Sequence, residues 1–275
     1  MPTHDAISLD HGLGNATLVL RITDDTSVSP LTPIGFTATS TRFRPAPSNT
    51  AWKRFHQPLR RNTSWTRDPS KLQQLVDHVT GGWKGYTPGR GRNNVEADAD
   101  NGDIIGSDWI STSVDLEWCL FEISRRLTVL PRYKVQLSVI TRRKKYSRRY
   151  KGTKMIHYDS APLVMKLKAN ETNEKKRQDA LNFVRASSEM LYYGRIFVKE
   201  IVETSEWTQS SPGFEVPAWC LIPRSHWKHG QSWVDRLVWN PRIDTAFVAK
   251  EKMDARREEL RREGVFLEFE RTIFM

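Results

Sequence analysis

The segment Ser187-Ser188-Glu189-Met190-Leu191-Tyr192-Tyr193-Gly194-Arg195-Ile196 has the composition of a β-strand. Met190, Tyr192, Ile196 and the following Val198 favour a pleated backbone, and Gly194 marks a bulge or a close backbone approach. A single carboxylate, Glu189, stands where the strand begins, after two small hydroxyl residues, giving the order Glu-x-x-x-x-Gly-x-Ile.

Working outward, Glu174 to Val184 reads as a helix feeding that strand, and Ile201-Val202 and Val216 to Ile222 are further strand candidates. Upstream, Trp109-Ile110-Ser111-Thr112-Ser113 is a short strand, and Asp115 is placed to cap a helix from Leu116 to about Leu127. Leu116, Leu120, Ile123 and Leu127 share one face of that helix, and Pro131 stops it. Tyr133 to Ile140 alternates polar and apolar residues, which predicts a strand with one wet face. Thr17 to Ile22 reads as a buried strand with Arg21 near its C-terminal end, and Leu31 to Phe36 as a short helical turn or irregular segment.

From Thr37 to about Asp108 the chain is rich in Pro, Gly, Ser and Arg, broken by the helical spacing of Leu72 to Val79. Residues 89–103, basic then acidic, are expected to be mobile. Asp244 to Glu263 reads as a charged helix ended by Gly264, and Val265 to Phe274 as an apolar tail. The simplest account is one α+β domain, residues 1–240, with an insertion over about 37–108 and a helical extension over 241–275.

The net charge of +11 is local. Residues 41–67 hold seven Lys/Arg and residues 141–154 hold eight, neither with an acid, so the rest of the chain is net acidic. Such runs are either solvated loops or grips for phosphates, a dinucleotide or nucleic acid. With no apolar run of about 18 residues and no signal-peptide pattern, the chain is expected to be intracellular, cytoplasmic or nuclear, without a membrane partner. Cys119 and Cys220 sit far apart in apolar contexts, for which buried free thiols of a reducing compartment are the default reading and a disulfide the alternative.

Taken with the segment above, two further elements resemble mono-ADP-ribosyltransferases of the Arg–Ser–Glu class, the cholera-toxin and pierisin-like branch. They are Arg21 on the opening strand, with Gly35-Phe36 after it, and Ser111-Thr112-Ser113 on a strand leading into a helix. The resemblance spans roughly residues 17–205. Ala186 through Ile196, with Ile222-Pro223, also resembles an uncharacterised fungal domain family of that fold. It implies an ADP-ribosyltransferase-like split β-sandwich with flanking helices and NAD as substrate.

The resemblance also implies roles. Arg21 would hold the dinucleotide's phosphate, for which a planar guanidinium fork is suited. Ser111 would position the catalytic carboxylate, and Thr112 and Ser113 would belong with it to the strand flooring the nicotinamide pocket, with Tyr192 lining it. Glu189 would stabilise the oxocarbenium-like ribose as nicotinamide leaves, with no metal required. Two departures stand out: the acids after Arg21 fall at Asp24 and Asp25, later than the family places one, and Ser187 stands where arginine- or base-modifying relatives carry Gln or Glu. The acceptor is therefore open, protein or nucleic acid, as is transfer against hydrolysis.

The alternative is a non-catalytic module on the same fold, gripping nucleic acid or another polyanion through Arg142, Arg143, Lys144, Lys145, Arg148 and Arg149. His226 and His229 are spaced as a metal pair is, but without companions they read as surface histidines. The chain has neither a Gly-x-Gly-x-x-Gly turn nor a Gly-x-Ser-x-Gly elbow, so a Rossmann dehydrogenase and that type of hydrolase are unsupported.

Overall fold

The computed structural model describes residues 17–27, 29–38, 75–76, 78–79, 109–142, 157–159 and 174–265. Most of the insertion, with 89–103, the basic residues 143–154 and the tail from 266, lies outside them. In chain order the strands are β1 (Thr17–Asp24), β2 (Gly35–Thr37), β3 (Trp109–Ser113), β4 (Val135–Arg142), β5 (His157–Asp159), β6 (Glu189–Tyr193), β7 (Arg195–Phe197) and β8 (Ile201–Trp207). The helices are α1 (Leu116–Thr128), α2 (Glu174–Ala186) and α3 (Ala246–Arg262). The protein is mixed α+β, with a mostly antiparallel sheet.

The chain divides into two compact units, one of Met1–Ser27, Asp115–Lys145 and Glu200–Met275, the other of Val28–Val114 and Tyr146–Lys199. In the first, β4 lies between β1 and β8, paired with β1 from Thr17↔Arg142 to Asp24↔Val135. This corrects the expected wet face: Leu137, Ser138, Val139, Ile140 and Thr141 are all buried, so side chains on both faces of the strand are removed from water. Its polar Ser138 is accommodated by a 2.8 Å hydrogen bond between its hydroxyl and that of Thr204.

Val135, Leu137, Leu20, Ile22 and Trp207 join a core with Cys119, Leu120, Ile123 and Leu127 of α1 and Met253 and Leu260 of α3. Each fully buried Leu or Met contributes about 1.5–3 kcal/mol. The expected cap is present, Asp115 accepting from Trp118 N at 3.0 Å. Helix α3 starts on a Thr245 cap and stops at Gly264, whose φ of 72° continues no helix.

The strand expected over Val216–Ile222 is a correction: Ala218–Cys220 forms a 3-10 turn, and Leu221 makes only an isolated bridge to Leu237. Pro217, with φ of −54° and no N–H, starts the turn where a ladder would need a donor.

In the second unit the strand order is β5-β6-β3, and β2 and β7 form a separate ribbon. The segment from Glu189 to Ile196, read as one strand, is thus two strands in two sheets, broken at Gly194 with φ of 79°. Gly35 (φ 104°) allows the ribbon to close, since a Cβ there would stand 2.1 Å from Ile196 O. Trp109 and Leu191 pack with Ala180, Leu181 and Val184 of α2 and with Leu75, Val76 and Val79, which belong to a helical stretch.

Candidate functional site

The register of β3 and β6 places Ser113 opposite Glu189, Ser111 opposite Leu191 and Trp109 opposite Tyr193. Directly opposed residues share a face, so Ser111, Ser113 and Glu189 stand on one side of the pair. Thr112, Met190 and Tyr192 stand on the other. Tyr192, fully buried, is therefore not on the face that carries Glu189 and Ser111.

The hydroxyls of the Ser-Thr-Ser strand have distinct partners. Ser113 Oγ donates to Ser187 O at 2.5 Å and Thr112 Oγ1 to Met190 O at 2.8 Å. Val114 N adds a bond to Ser188 O at 3.2 Å. These contacts staple the end of β3 to the turn between α2 and β6, and so fix where Glu189 begins its strand. Ser188 completes that turn in the left-handed region, with φ of 45°. Ser113 and Thr112 thus have framework bonds, beyond the pocket-lining role the resemblance implies.

Ser111 differs. It is half-buried, and its Oγ lies 2.9 Å from His78 Nε2. A hydroxyl beside an imidazole nitrogen is fixed in rotamer, with the direction of the proton set by the histidine tautomer. His78 was not singled out in the sequence; the only signal was a histidine inside the apolar helical spacing of Leu72 to Val79. Glu189 itself is 3% exposed. A carboxylate so removed from water acts on a neighbouring cation with far less screening than one at the surface.

Arg21 belongs to the first unit, on the face of β1 shared with Val19 and Thr23 and opposite Ser138. Burial, and after it the charge of Arg126, lower its guanidinium from the usual 12.5 to about 9. It stays protonated at neutral pH. Arg142 ends β4, while Arg143, Lys144, Lys145, Arg148 and Arg149 lie outside the described residues. His226 and His229 are exposed, and among the described residues no cluster of His, Cys, Asp and Glu could hold a metal ion. No described helix is long and apolar enough to cross a membrane.

No family model matches this chain, and no curated protein matches it.

Proposed function

We propose that the protein is an NAD-dependent mono-ADP-ribosyltransferase or NAD glycohydrolase on an ADP-ribosyltransferase-like fold. The observation that carries this reading is the placement of Glu189 and Ser111 on one face of two paired strands, with Ser111 held by His78. In the reaction the bond between the ribose C1′ and the nicotinamide nitrogen breaks, and its electron pair goes to the nicotinamide, which leaves neutral. The ribose becomes an oxocarbenium ion, whose charge the Glu189 carboxylate stabilises through the ribose hydroxyl. Water, or the hydroxyl or amine of an acceptor, then bonds to C1′ and releases a proton. Arg21 is assigned the dinucleotide's phosphate.

The test is nicotinamide release from NAD by the purified chain beside Glu189→Gln, which keeps the shape and removes the charge. Loss of about 10²-fold or more in turnover with NAD binding kept is the expected outcome. Arg21→Lys is a separate arm, expected to weaken NAD binding. A wild type that neither releases nicotinamide nor binds NAD at millimolar concentration would overturn the reading. The burial of Glu189 favours a second one, a non-catalytic module on the same fold that grips nucleic acid or another polyanion through its basic segments, which predicts neither nicotinamide release nor NAD binding.

A further inference from the structure

In the first unit, charge is compensated almost everywhere. Arg125 and Arg126 pair with Glu122, Arg132 with Asp24, and Lys134 with Glu206. Lys250 and Arg257 pair with Glu117, Lys252 with Asp244, Arg256 with Glu259, and Arg261 and Arg262 with Glu258. The segment 222–242 breaks the pattern. Its Arg224, Lys228, Arg236 and Arg242 form no ion pair with a described residue.

Three of these cations sit on one built loop. Residues 222–236 are closed at the base by the Leu221–Leu237 bridge, with Ile222 N donating to Arg236 O at 2.8 Å. Compact loops of this size with adjoining ends are frequently functional. The loop is tied down by Trp233, which is buried against Trp207 and donates from Nε1 to Thr208 O at 2.7 Å. Trp227, fixed by its Nε1 bond to Ile222 O at 3.0 Å, has the guanidinium carbons of Arg236 and Arg224 at 4.5 and 5.7 Å from its ring centre. Both guanidiniums are within cation–π range, so they are held in place before an anion arrives. The loop's one carboxylate, Asp235, accepts from Ser232 N and Oγ.

We propose that this loop docks the backbone of a single-stranded nucleic acid, independently of the NAD chemistry. Arg224 and Lys228 contact phosphates, and Trp227 presents the arginine forks. The exposed rings of His226 and His229 offer flat surfaces to unstacked bases. Gly230, Gln231 and Asp235 of the loop also line a groove of about 830 Å³ with Arg242 and Lys252, which gives the strand a continuing path. The exposed side chains of the loop are polar (Arg224, Ser225, His226, Lys228, His229 and Asp235), so it has no apolar group to insert into a lipid surface.

The test is the fluorescence anisotropy of a labelled single-stranded oligonucleotide with the full chain, titrated at several salt concentrations. Arg224→Gln/Lys228→Gln is compared with Lys250→Gln, which removes a cation that is already paired. Each lost phosphate contact lowers the slope of log affinity against log salt by about 0.7, so the double variant should lose about 1.4 and bind roughly tenfold or more weakly near 0.1 M salt. Lys250→Gln should leave the slope unchanged, and all three proteins should share one melting temperature. Equal slopes for the wild type and the double variant would overturn the proposal. So would no oligonucleotide binding at all, or a loss seen only on vesicles of anionic phospholipid.

Discussion

Glu122 and Glu189 are both almost wholly buried carboxylates, 1% and 3% exposed, one in each unit. Glu122 sits on α1 and is clamped by the next turn. Arg125 donates to both its oxygens, at 2.7 and 2.8 Å, and Arg126 adds a 2.8 Å bond before reaching on to Asp24 at 3.1 Å. Glu189 sits at a strand start whose surroundings come from distant sequence: a serine opposite it on β3, and Ser111 with its histidine on the same face. The first charge is neutralised within its own helix and holds the fold. The second shares its face of the strand pair with Ser111 and Ser113, residues far from it in sequence.

The strongest way to break this comparison is to neutralise each charge. Glu122→Gln leaves the buried Arg125 guanidinium poorly compensated and the half-buried Arg126 with only Asp24, and should lower the free energy of unfolding in urea by about 3–5 kcal/mol. Glu189→Gln should shift the urea midpoint much less and act on nicotinamide release instead. A larger stability loss for Glu189→Gln would make it the structural charge of the two.

Acid sharpens the contrast. Burial pushes the Glu122 carboxyl up, but the charges and hydrogen bonds of Arg125 and Arg126 outweigh it and hold the group below its usual value of 4.5. For Asp24, too, burial pushes up, and Arg126 with Thr26 and Arg132 pulls the net shift below the usual 3.8. The folded state therefore binds fewer protons than the unfolded chain in acid. The stability these groups give is complete above the unfolded values and is lost as pH falls through the lower folded ones. Unfolding titrations from pH 6 to about pH 3 should show that loss in the wild type and a flatter limb in Glu122→Gln.

A smaller effect belongs to the second region. His78→Ala frees the Ser111 rotamer and should reduce nicotinamide release by about tenfold, near 1.4 kcal/mol, with the melting temperature kept. An unchanged rate would remove His78 from the site. Smallest is Ser188→Gly. It relieves a left-handed backbone at roughly 1–2 kcal/mol but adds glycine's chain entropy, for a net gain of roughly 0.5 kcal/mol in chemical denaturation.

What the sequence made legible was local. The run Trp109 to Thr128 read correctly as strand, cap and helix because Asp115 and the spacing of Leu116, Leu120, Ile123 and Leu127 act over a few residues. Helix α2 and the charged helix α3 read well for the same reason. The wet face of β4 failed because a polar residue such as Ser138 can be buried once its hydroxyl finds a distant partner, here Thr204 on β8, which alternation alone cannot reveal. The strand through Ile196 failed because Gly194 can serve a bulge or a change of sheet, and only the partner strand β2 selects between them. His78 and the Arg224–Trp227–Arg236 stack were missed because each is a tertiary contact that no spacing announces.

The two cysteines described in the core have a kinetic meaning. Cys119 and Cys220 are fully buried thiols outside any disulfide, and Cys220 Sγ lies 3.6 Å from Met253 Sδ beneath α3. Burial above all pushes the Cys220 thiol beyond its usual 9.0. Only the thiolate reacts, so both groups should be silent to alkylating reagents while the core is closed. Their labelling rate is then a clock for how often α3 lifts away from α1, wound into the protein without any added probe.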